Sequence, residues 1–166
     1  AAALLNVGRE HVGTDGIDSP EAMMSVKRRV TDAARRAVVL NADDRLTARL
    51  AASYPPERVV VFSFDAGNPV VRDTVAAGGR AVCLVEDRIV LTGSDGAQET
   101  LVSVADMPSA LGGILRHNIA NAMAAAGLAA GLGLPRDAIA AGLRSFENTL
   151  ACSPSRFTRI GGYPFE

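Results

Sequence analysis

The chain has 166 residues, of which 48% are hydrophobic and 21% charged, and its formal net charge is −1. This composition excludes a disordered chain, and no apolar run approaches the roughly 20 residues of a membrane crossing. A charge so close to zero argues against nucleic acid as the main partner. Cys83 and Cys152 lie far apart and have no metal-ligand spacing, which is typical of a reduced, cytoplasmic setting, and no signal peptide is visible.

The first half of the chain alternates strand and helix patterns. Strands are predicted at 2–7, 37–44 and 58–64. Helices are predicted from the Ser19 cap to about Ala34, from the Asp44 cap through 46–53, and within 68–79. The alternation predicts an α/β fold in which a parallel sheet is flanked by helices.

The pattern changes in the second half. Three short strand-like runs within 80–104, with turns at Glu86-Asp87 and at 93–96, predict a small inserted antiparallel β meander. Residues 106–113 are predicted to form a loop. Two helices are then predicted, one that carries two asparagines and one that Pro135 opens and that ends near Phe146. A last strand is predicted within 156–160.

The segment from Arg116 to Phe146 carries the most chemical information. Asn118 and Asn121 lie three residues apart, and therefore on one face, near the start of a helix that is otherwise Ala, Gly, Leu and Met. Such a helix has little side-chain bulk and can pack closely. An amide offers an acceptor and two donors, which suits the edge of a purine, where an amino group lies beside a ring nitrogen. Taken alone, the pair is also explained by one capping residue and one solvated residue.

Further polar side chains follow the predicted strands, where ligands of open α/β sheets bind. They are the run from Asn6 to His11 and the run from Asn41 to Asp44. His11 and Glu10 are candidate ligands of a divalent cation, although a single histidine in a loop is more often a surface or capping residue. The two aspartates are likewise typical of turns and caps. Lys27 is the only lysine, and without a glycine-rich loop before it the default is a solvated helix residue.

In their order along the chain these segments resemble the Mur ligase superfamily. The segments are NVGREHVG, SVKRRV, VLNADD, HNIANAMAAAG, GLRSF and SPSRF. Within the superfamily, the spacing of HVG and IDSPEAMMSVK, the run from 62 to 91 and LVSVADMPSALGG are similar to the Mur-ligase-like region of the cyanophycin synthetase family. The resemblance covers essentially the whole chain. It implies that 1–166 is the later part of a central ATPase domain, with the phosphate-binding loop before it and a C-terminal ligase domain after it.

The resemblance also implies roles for individual residues. His11 corresponds to a magnesium-binding histidine, and Lys27 to a lysine that is carbamylated in many Mur ligases and then helps to hold magnesium. Asn118 and Asn121 correspond to the asparagines that recognise adenine, and Arg156 to an arginine that reaches the nucleotide. Two positions depart from the family pattern: Glu10 stands where an aspartate is usual, and Ser155 where a glycine is usual.

The function implied by the resemblance is that of a bacterial ATP-dependent amide ligase with ATP and Mg²⁺ as cofactors. ATP would activate a carboxylate as an acyl phosphate that an amine attacks, with arginine and an aspartate polymer as substrates. A homo-oligomer is expected, with no nucleic-acid or membrane partner, and the fragment alone is expected to be inactive. Three alternatives stay open: another Mur-superfamily ligase of the peptidoglycan-precursor or folylpolyglutamate type, a degenerate domain that binds a nucleotide or a partner, and a structural or oligomerising module.

Overall fold

The computed structural model describes residues 1–8, 13, 17–147, 158–160 and 163–165, the last two ranges as backbone only. Within these residues six strands form one sheet in the order of the sequence. They are β1 Ala2–Leu4, β2 Val38–Asn41, β3 Val59–Ser63, β4 Arg80–Val85, β5 Arg88–Thr92 and β6 Gln98–Ser103. The helices are α1 Pro20–Asp32, α2 Arg45–Ala48, α3 Pro69–Ala76, α4 Arg116–Leu132 and α5 Arg136–Ser145. Two further strands, β7 Thr158–Ile160 and β8 Tyr163–Phe165, pair antiparallel with each other.

Strands β1 to β4 are parallel and neighbours in sequence order. Because crossovers between parallel strands are right-handed, a sheet built in this order places every connecting helix on the same face. One buried cluster accordingly joins Met23 of α1, Leu46 of α2 and Val71 of α3 to strand residues such as Leu40 and Val61. The predicted α/β fold with a parallel sheet is confirmed, and the helix that begins at the Ser19 cap is confirmed as well.

The opposite face of the sheet is covered by α4 and α5. Alternate strand residues turn to this side, and Val39, Val60, Phe62 and Val82 form a second buried cluster with the two helices. Both faces of the central strands are therefore buried, which explains why these strands are nearly continuous hydrophobic runs rather than alternating ones.

Helix α4 packs very closely on the sheet because it carries glycine where it crosses the strands. A Cβ atom added at Gly131 would lie 2.4 Å from Cβ of Ala37, and one added at Gly127 would lie 3.0 Å from Cγ1 of Val39. Since Arg116 lies over Phe64, just after β3, and Gly131 lies beside Ala37, just before β2, α4 runs antiparallel to the parallel strands. Its N-terminus therefore lies at the carboxyl edge of the sheet.

The antiparallel meander is part of the main sheet. Strand β4 pairs parallel with β3 on one side and antiparallel with β5 on the other, so the meander extends the sheet instead of forming a separate insertion. The predicted turn at Glu86-Asp87 is confirmed, and Glu86 adopts a left-handed φ of 55°. In β6 the register shifts at Leu101, and the carbonyl oxygens of Thr100 and Leu101 accept hydrogen bonds from Arg136 and Arg144 of α5.

Several predicted elements are shorter or differ in type. Strand β2 ends at Asn41 because the side chains that follow it bond to neighbouring loops and turn the chain. The helix predicted over 46–53 is α-helical only to Ala48 and then continues as a 3₁₀ segment, Arg49–Ser53. The predicted loop before α4 contains 3₁₀ turns over Pro108–Gly113, in which Leu111 and Gly112 have φ values of 47° and 65°.

Candidate functional site

Asp43, at the carboxyl edge of the sheet, joins the ends of two strands. Its Oδ1 accepts a 2.5 Å hydrogen bond from the Ser63 hydroxyl and a 3.2 Å bond from Nδ2 of Asn68, and its Oδ2 accepts a 2.8 Å bond from the Phe64 amide. These three donors satisfy much of what the carboxylate can accept. The Asp43 backbone amide in turn donates to Oδ1 of Asn41 and closes the turn. Asp43 therefore fixes the end of β2 against the end of β3.

Asp44 also has a structural role. Its Oδ1 accepts hydrogen bonds from the amides of Leu46 and Thr47 at 3.0 and 2.9 Å, as the cap of α2, and its Oδ2 accepts a 3.1 Å bond from the Val7 amide. Asp44 thus ties the loop after β1 to the start of α2. The cap predicted from the sequence is confirmed. The carboxylates of both aspartates of the NADD segment accept hydrogen bonds that hold neighbouring loops in place.

Lys27 lies on α1, on the face of the sheet opposite α4. Its Nζ donates a 3.3 Å hydrogen bond to the carbonyl oxygen of Asn6, two residues beyond β1. The ammonium therefore lies next to the loop that leads toward residue 11. Of the other predicted ligand residues, His11, Glu10, Arg156 and Ser155 lie outside the described residues. Among the residues that the structure does describe, no group of three or more His, Cys, Asp or Glu side chains could hold a metal ion.

A groove of about 470 Å³ lies between α4 and α5 on the other face of the sheet. Its α4 wall consists of small side chains at helical spacing, and its α5 wall contains Ala138 and Gly142. Large side chains at these places would fill the space between the two helices. The α4 residues that line it are Asn118, Asn121, Ala122, Ala125, Ala126 and Ala129.

The two predicted asparagines both lie on this groove. Nδ2 of Asn118 donates a 2.7 Å hydrogen bond to the carbonyl oxygen of the buried Ser109, which also lines the groove. Asn121, one turn further along α4, is exposed, and its side chain has no hydrogen-bond partner among the described residues. The structure therefore brings Asn118 and Asn121 together, as expected for two residues on one helix face, and leaves Lys27 on the other side of the sheet.

Two aromatic side chains near α4 were not singled out by the sequence analysis. Phe146, at the end of α5, lines the groove and is 57% exposed. Phe64, just after β3, stacks under the guanidinium of Arg116, which lies 4.3 Å from the ring centroid. An aromatic residue at the end of a predicted strand or helix was the available signal, but nothing in the sequence pairs either ring with α4.

Shifted pKa values lie away from the groove. Burial, and then the negative charge of Asp43, raise the pKa of Cys83 to about 11. The Tyr54 hydroxyl and then Arg28 lower the pKa of Asp32 through hydrogen bonds, and burial raises the pKa of Tyr54. The Tyr54 hydroxyl donates a 2.8 Å hydrogen bond to Oδ1 of Asp32, which joins α1 to the segment before β3. These pKa shifts therefore come from a contact that holds the two segments together. Cys83 is buried in the core, as its apolar strand pattern predicts.

Open α/β sheets bind ligands beyond the carboxyl ends of their strands, and this sheet has polar loops at that edge and an amide-bearing groove on one face. No helix in the described part of the chain is long and apolar enough to cross a membrane.

Residues 1–129 match the family described as the Mur ligase middle domain. The chain is 31% identical over 165 residues to a cyanophycin synthetase of Synechocystis, in a match that covers 96% of this chain and 19% of that relative. It is 37% identical over 150 residues to the UDP-N-acetylmuramoylalanine–D-glutamate ligase of Streptomyces avermitilis, covering 88% of this chain and 29% of that relative.

The chain therefore belongs to the Mur ligase middle-domain family, and the resemblance drawn from the sequence is confirmed. It spans about a fifth of the length of the cyanophycin synthetase and less than a third of the D-glutamate ligase. The first relative is a synthetase by name, and the second is a ligase by name.

Proposed function

We propose that this chain is the part of an ATP-dependent amide ligase that holds the adenine base of the nucleotide, in the groove between α4 and α5. The observation that carries the proposal is the placement of Asn118 and Asn121 at one end of that groove. A volume of about 470 Å³ lies within the range of about 300–1,000 Å³ typical of small-molecule sites. Membership of the Mur ligase family supports a nucleotide as the ligand.

The lining of the groove suits a flat, largely apolar ring with polar edges. Alanine side chains of α4 form a smooth wall, and the exposed Phe146 ring offers an aromatic surface. The two amides supply directional hydrogen bonds at one end, which is how such sites fix the orientation of a base. Arg116, whose guanidinium stacks on Phe64 near the first turn of α4, lies where it could meet the more polar part of a nucleotide.

The reaction that we propose for the parent protein joins an amine to a carboxylate activated as an acyl phosphate. The cyanophycin synthetase type, which adds arginine to the side-chain carboxylates of an aspartate polymer, is favoured because its match covers 96% of this chain. The alternative is addition of D-glutamate as in the peptidoglycan-precursor ligases, which the 37% identity to the Streptomyces enzyme supports. A cytoplasmic homo-oligomer remains part of the proposal.

Magnesium would neutralise the charge of the phosphates in such a reaction. Lys27 as an ammonium repels a cation, so it can serve as a ligand only as a carbamate, whose carboxylate oxygens suit magnesium. The contact of its Nζ with the Asn6 carbonyl places that nitrogen beside the loop toward His11, the other residue implied as a ligand. We propose that these two residues hold the metal in the parent enzyme.

The test is a titration of the 166-residue chain with ADP, followed by amide NMR and calorimetry. We expect chemical-shift changes along α4 and α5. Asn121→Ala should weaken binding about tenfold, because an exposed amide that bonds the base is removed. Ala125→Leu should abolish binding by filling the groove, whereas Ala141→Leu, an exposed alanine of α5 outside the groove lining, should not. Equal affinities for all four proteins would contradict the proposal.

A further inference from the structure

A crevice of about 430 Å³ lies on the face of the sheet that α1, α2 and α3 cover. It lies between the 3₁₀ segment Arg49–Ser53 and α3, beside Val59, the first residue of β3. These elements meet near the amino ends of the strands. The crevice is therefore separate from the groove between α4 and α5, which lies on the opposite face, and from the polar loops at the carboxyl edge.

Two side chains of opposite charge line this crevice from different elements. Arg49 belongs to the 3₁₀ segment, and Asp73 belongs to α3. Both are exposed, and neither forms an ion pair or a side-chain hydrogen bond with another described residue. A cation and an anion that line one space without pairing provide two anchors for one ligand. They match the carboxylate and the ammonium group of a zwitterion.

Thr74, next to Asp73, adds a hydroxyl to the lining. The residue is only 8% exposed, and its side chain has no hydrogen-bond partner among the described residues. The hydroxyl oxygen is not sealed off, because Nε of Arg58 is the one fully enclosed side-chain atom without a partner in the described part of the chain. Most buried polar groups are hydrogen-bonded. Thr74 is therefore the group in the crevice that gains most from a polar ligand.

The rest of the lining is mainly small and apolar. Alanine side chains line the crevice from both the 3₁₀ segment and the end of α3, and Tyr54 and Val59 add larger surfaces. The Tyr54 hydroxyl donates a 2.8 Å hydrogen bond to Asp32, so its ring is held in place. An aliphatic side chain of a few carbons would bury its surface against these groups. The volume also lies within the range of about 300–1,000 Å³ typical of small-molecule sites.

We infer that the crevice binds a free α-amino acid with an aliphatic side chain. Arg49 binds the carboxylate, Asp73 binds the ammonium group, and the Thr74 hydroxyl forms a hydrogen bond with one of these two groups. The aliphatic side chain lies against the alanines and Tyr54. This site does not depend on the function proposed above, because it shares no residue with the groove between α4 and α5.

The test is a titration of the 166-residue chain, followed by amide NMR, with three probes that share one aliphatic group. They are L-leucine, isocaproate, which lacks the ammonium group, and isoamylamine, which lacks the carboxylate. L-Leucine should shift the amide signals of residues 49–56 and 70–77. Each of the other probes should bind at least roughly tenfold more weakly, because it loses one charge-assisted hydrogen bond.

Substitutions assign each charge to its partner. Arg49→Gln should weaken L-leucine about tenfold and leave isoamylamine unchanged, since this amine has no carboxylate to lose. Asp73→Asn should weaken L-leucine and leave isocaproate unchanged. Arg72→Gln is the matched control, because Arg72 is an exposed neighbour of Asp73 that does not line the crevice. It should change none of the three affinities.

Thr74→Val gives a readout that does not involve a charge. It should weaken L-leucine several-fold without lowering the urea concentration at which the chain unfolds, because the hydroxyl has no partner to lose in the free chain. A lower unfolding midpoint would show that the hydroxyl is already bonded and would count against the inference.

Three results would overturn the assignment. One is the absence of shifts at about 10 mM L-leucine, which is ten times the dissociation constant of a millimolar site. Another is equal affinity for all three probes, since the crevice would then not recognise a zwitterion. The third is L-leucine binding that both Arg49→Gln and Asp73→Asn leave unchanged, which would place the ligand elsewhere. Both charged side chains are exposed, so neither substitution removes a core contact.

Discussion

Substitution of Gly131 by alanine tests whether α4 is held against the sheet by its lack of side-chain volume. The added Cβ would lie 2.4 Å from Cβ of Ala37, at least 1 Å closer than the 3.4–4 Å of an ordinary contact. Ala37 is fully buried and its Cβ is fixed to the backbone at the start of β2, so it cannot swing away. Helix α4 must then shift off the sheet, and overpacking of this kind costs about 1–3 kcal/mol.

Alanine also favours a helix over glycine by up to about 1 kcal/mol, although less so in the last turn, where Gly131 lies. The net expectation is a loss of about 1–2 kcal/mol of unfolding free energy, which lowers the melting temperature by roughly 2–8 °C in a chain of this length. Urea and thermal unfolding followed by circular dichroism would measure both quantities.

Gly142 of α5 is the matched control. A Cβ added there would have no atom within 4 Å, so Gly142→Ala should keep only the helix-propensity gain and be neutral or stabilising. If Gly131→Ala were as stable as the original chain, or if both substitutions raised stability alike, α4 could not be packed as closely as described and the reasoning would be refuted.

Two further predictions concern Cys83 and Lys27. The pKa of Cys83 rises from its ordinary 9.0 to about 11, so near pH 8 its thiolate should be about a hundredfold scarcer in the folded chain than in the unfolded chain. Iodoacetamide should therefore modify Cys83 far more slowly before urea is added than after. A Cys152→Ser background restricts the reaction to this thiol. The unfolded chain releases this proton first, so unfolding free energy should fall as pH rises from about 9 to 11, and a flat profile there would contradict the assignment. With ¹³C-labelled bicarbonate and magnesium, a carbamate carbon signal should be seen by NMR and vanish in Lys27→Arg; its absence from the original chain would count against a metal role for Lys27.

The fold followed from the sequence where local chemistry and tertiary packing agree. The Ser19 cap with Pro20 behind it, the Asp44 cap and the apolar runs of β2 and β3 each specify their element locally, and the structure contains all of them. The boundaries were less predictable. The polar residues after Asn41 are compatible either with a continued strand end or with a turn. The hydrogen bonds of Asp43 to Ser63 and Phe64 at the end of the neighbouring strand decide in favour of the turn.

The candidate site was predictable in part. Placing Asn118 and Asn121 on one face required only helical spacing. The groove itself depends on α5, which packs Ile139 and Leu143 into the core and contacts the carbonyl oxygens at the irregular register of β6 through Arg136 and Arg144. A register shift at Leu101 leaves no recognisable mark in the sequence, so neither the groove nor the role of Phe146 at its end could be derived before the structure.

The composition of α4 reconciles close packing with an open groove. A helix that covers a sheet usually presents a broad apolar face with bulky side chains, and its opposite face is charged. In α4 the side toward the sheet carries Gly127 and Gly131, and the side toward α5 carries Ala125 and Ala129. Small residues on the first side bring the backbone close to the strands, and small residues on the second leave space for a ligand. A leucine on the first side would clash with the strands, and a leucine on the second side would fill the groove. This explains why a helix so poor in polar residues shows no amphipathic pattern.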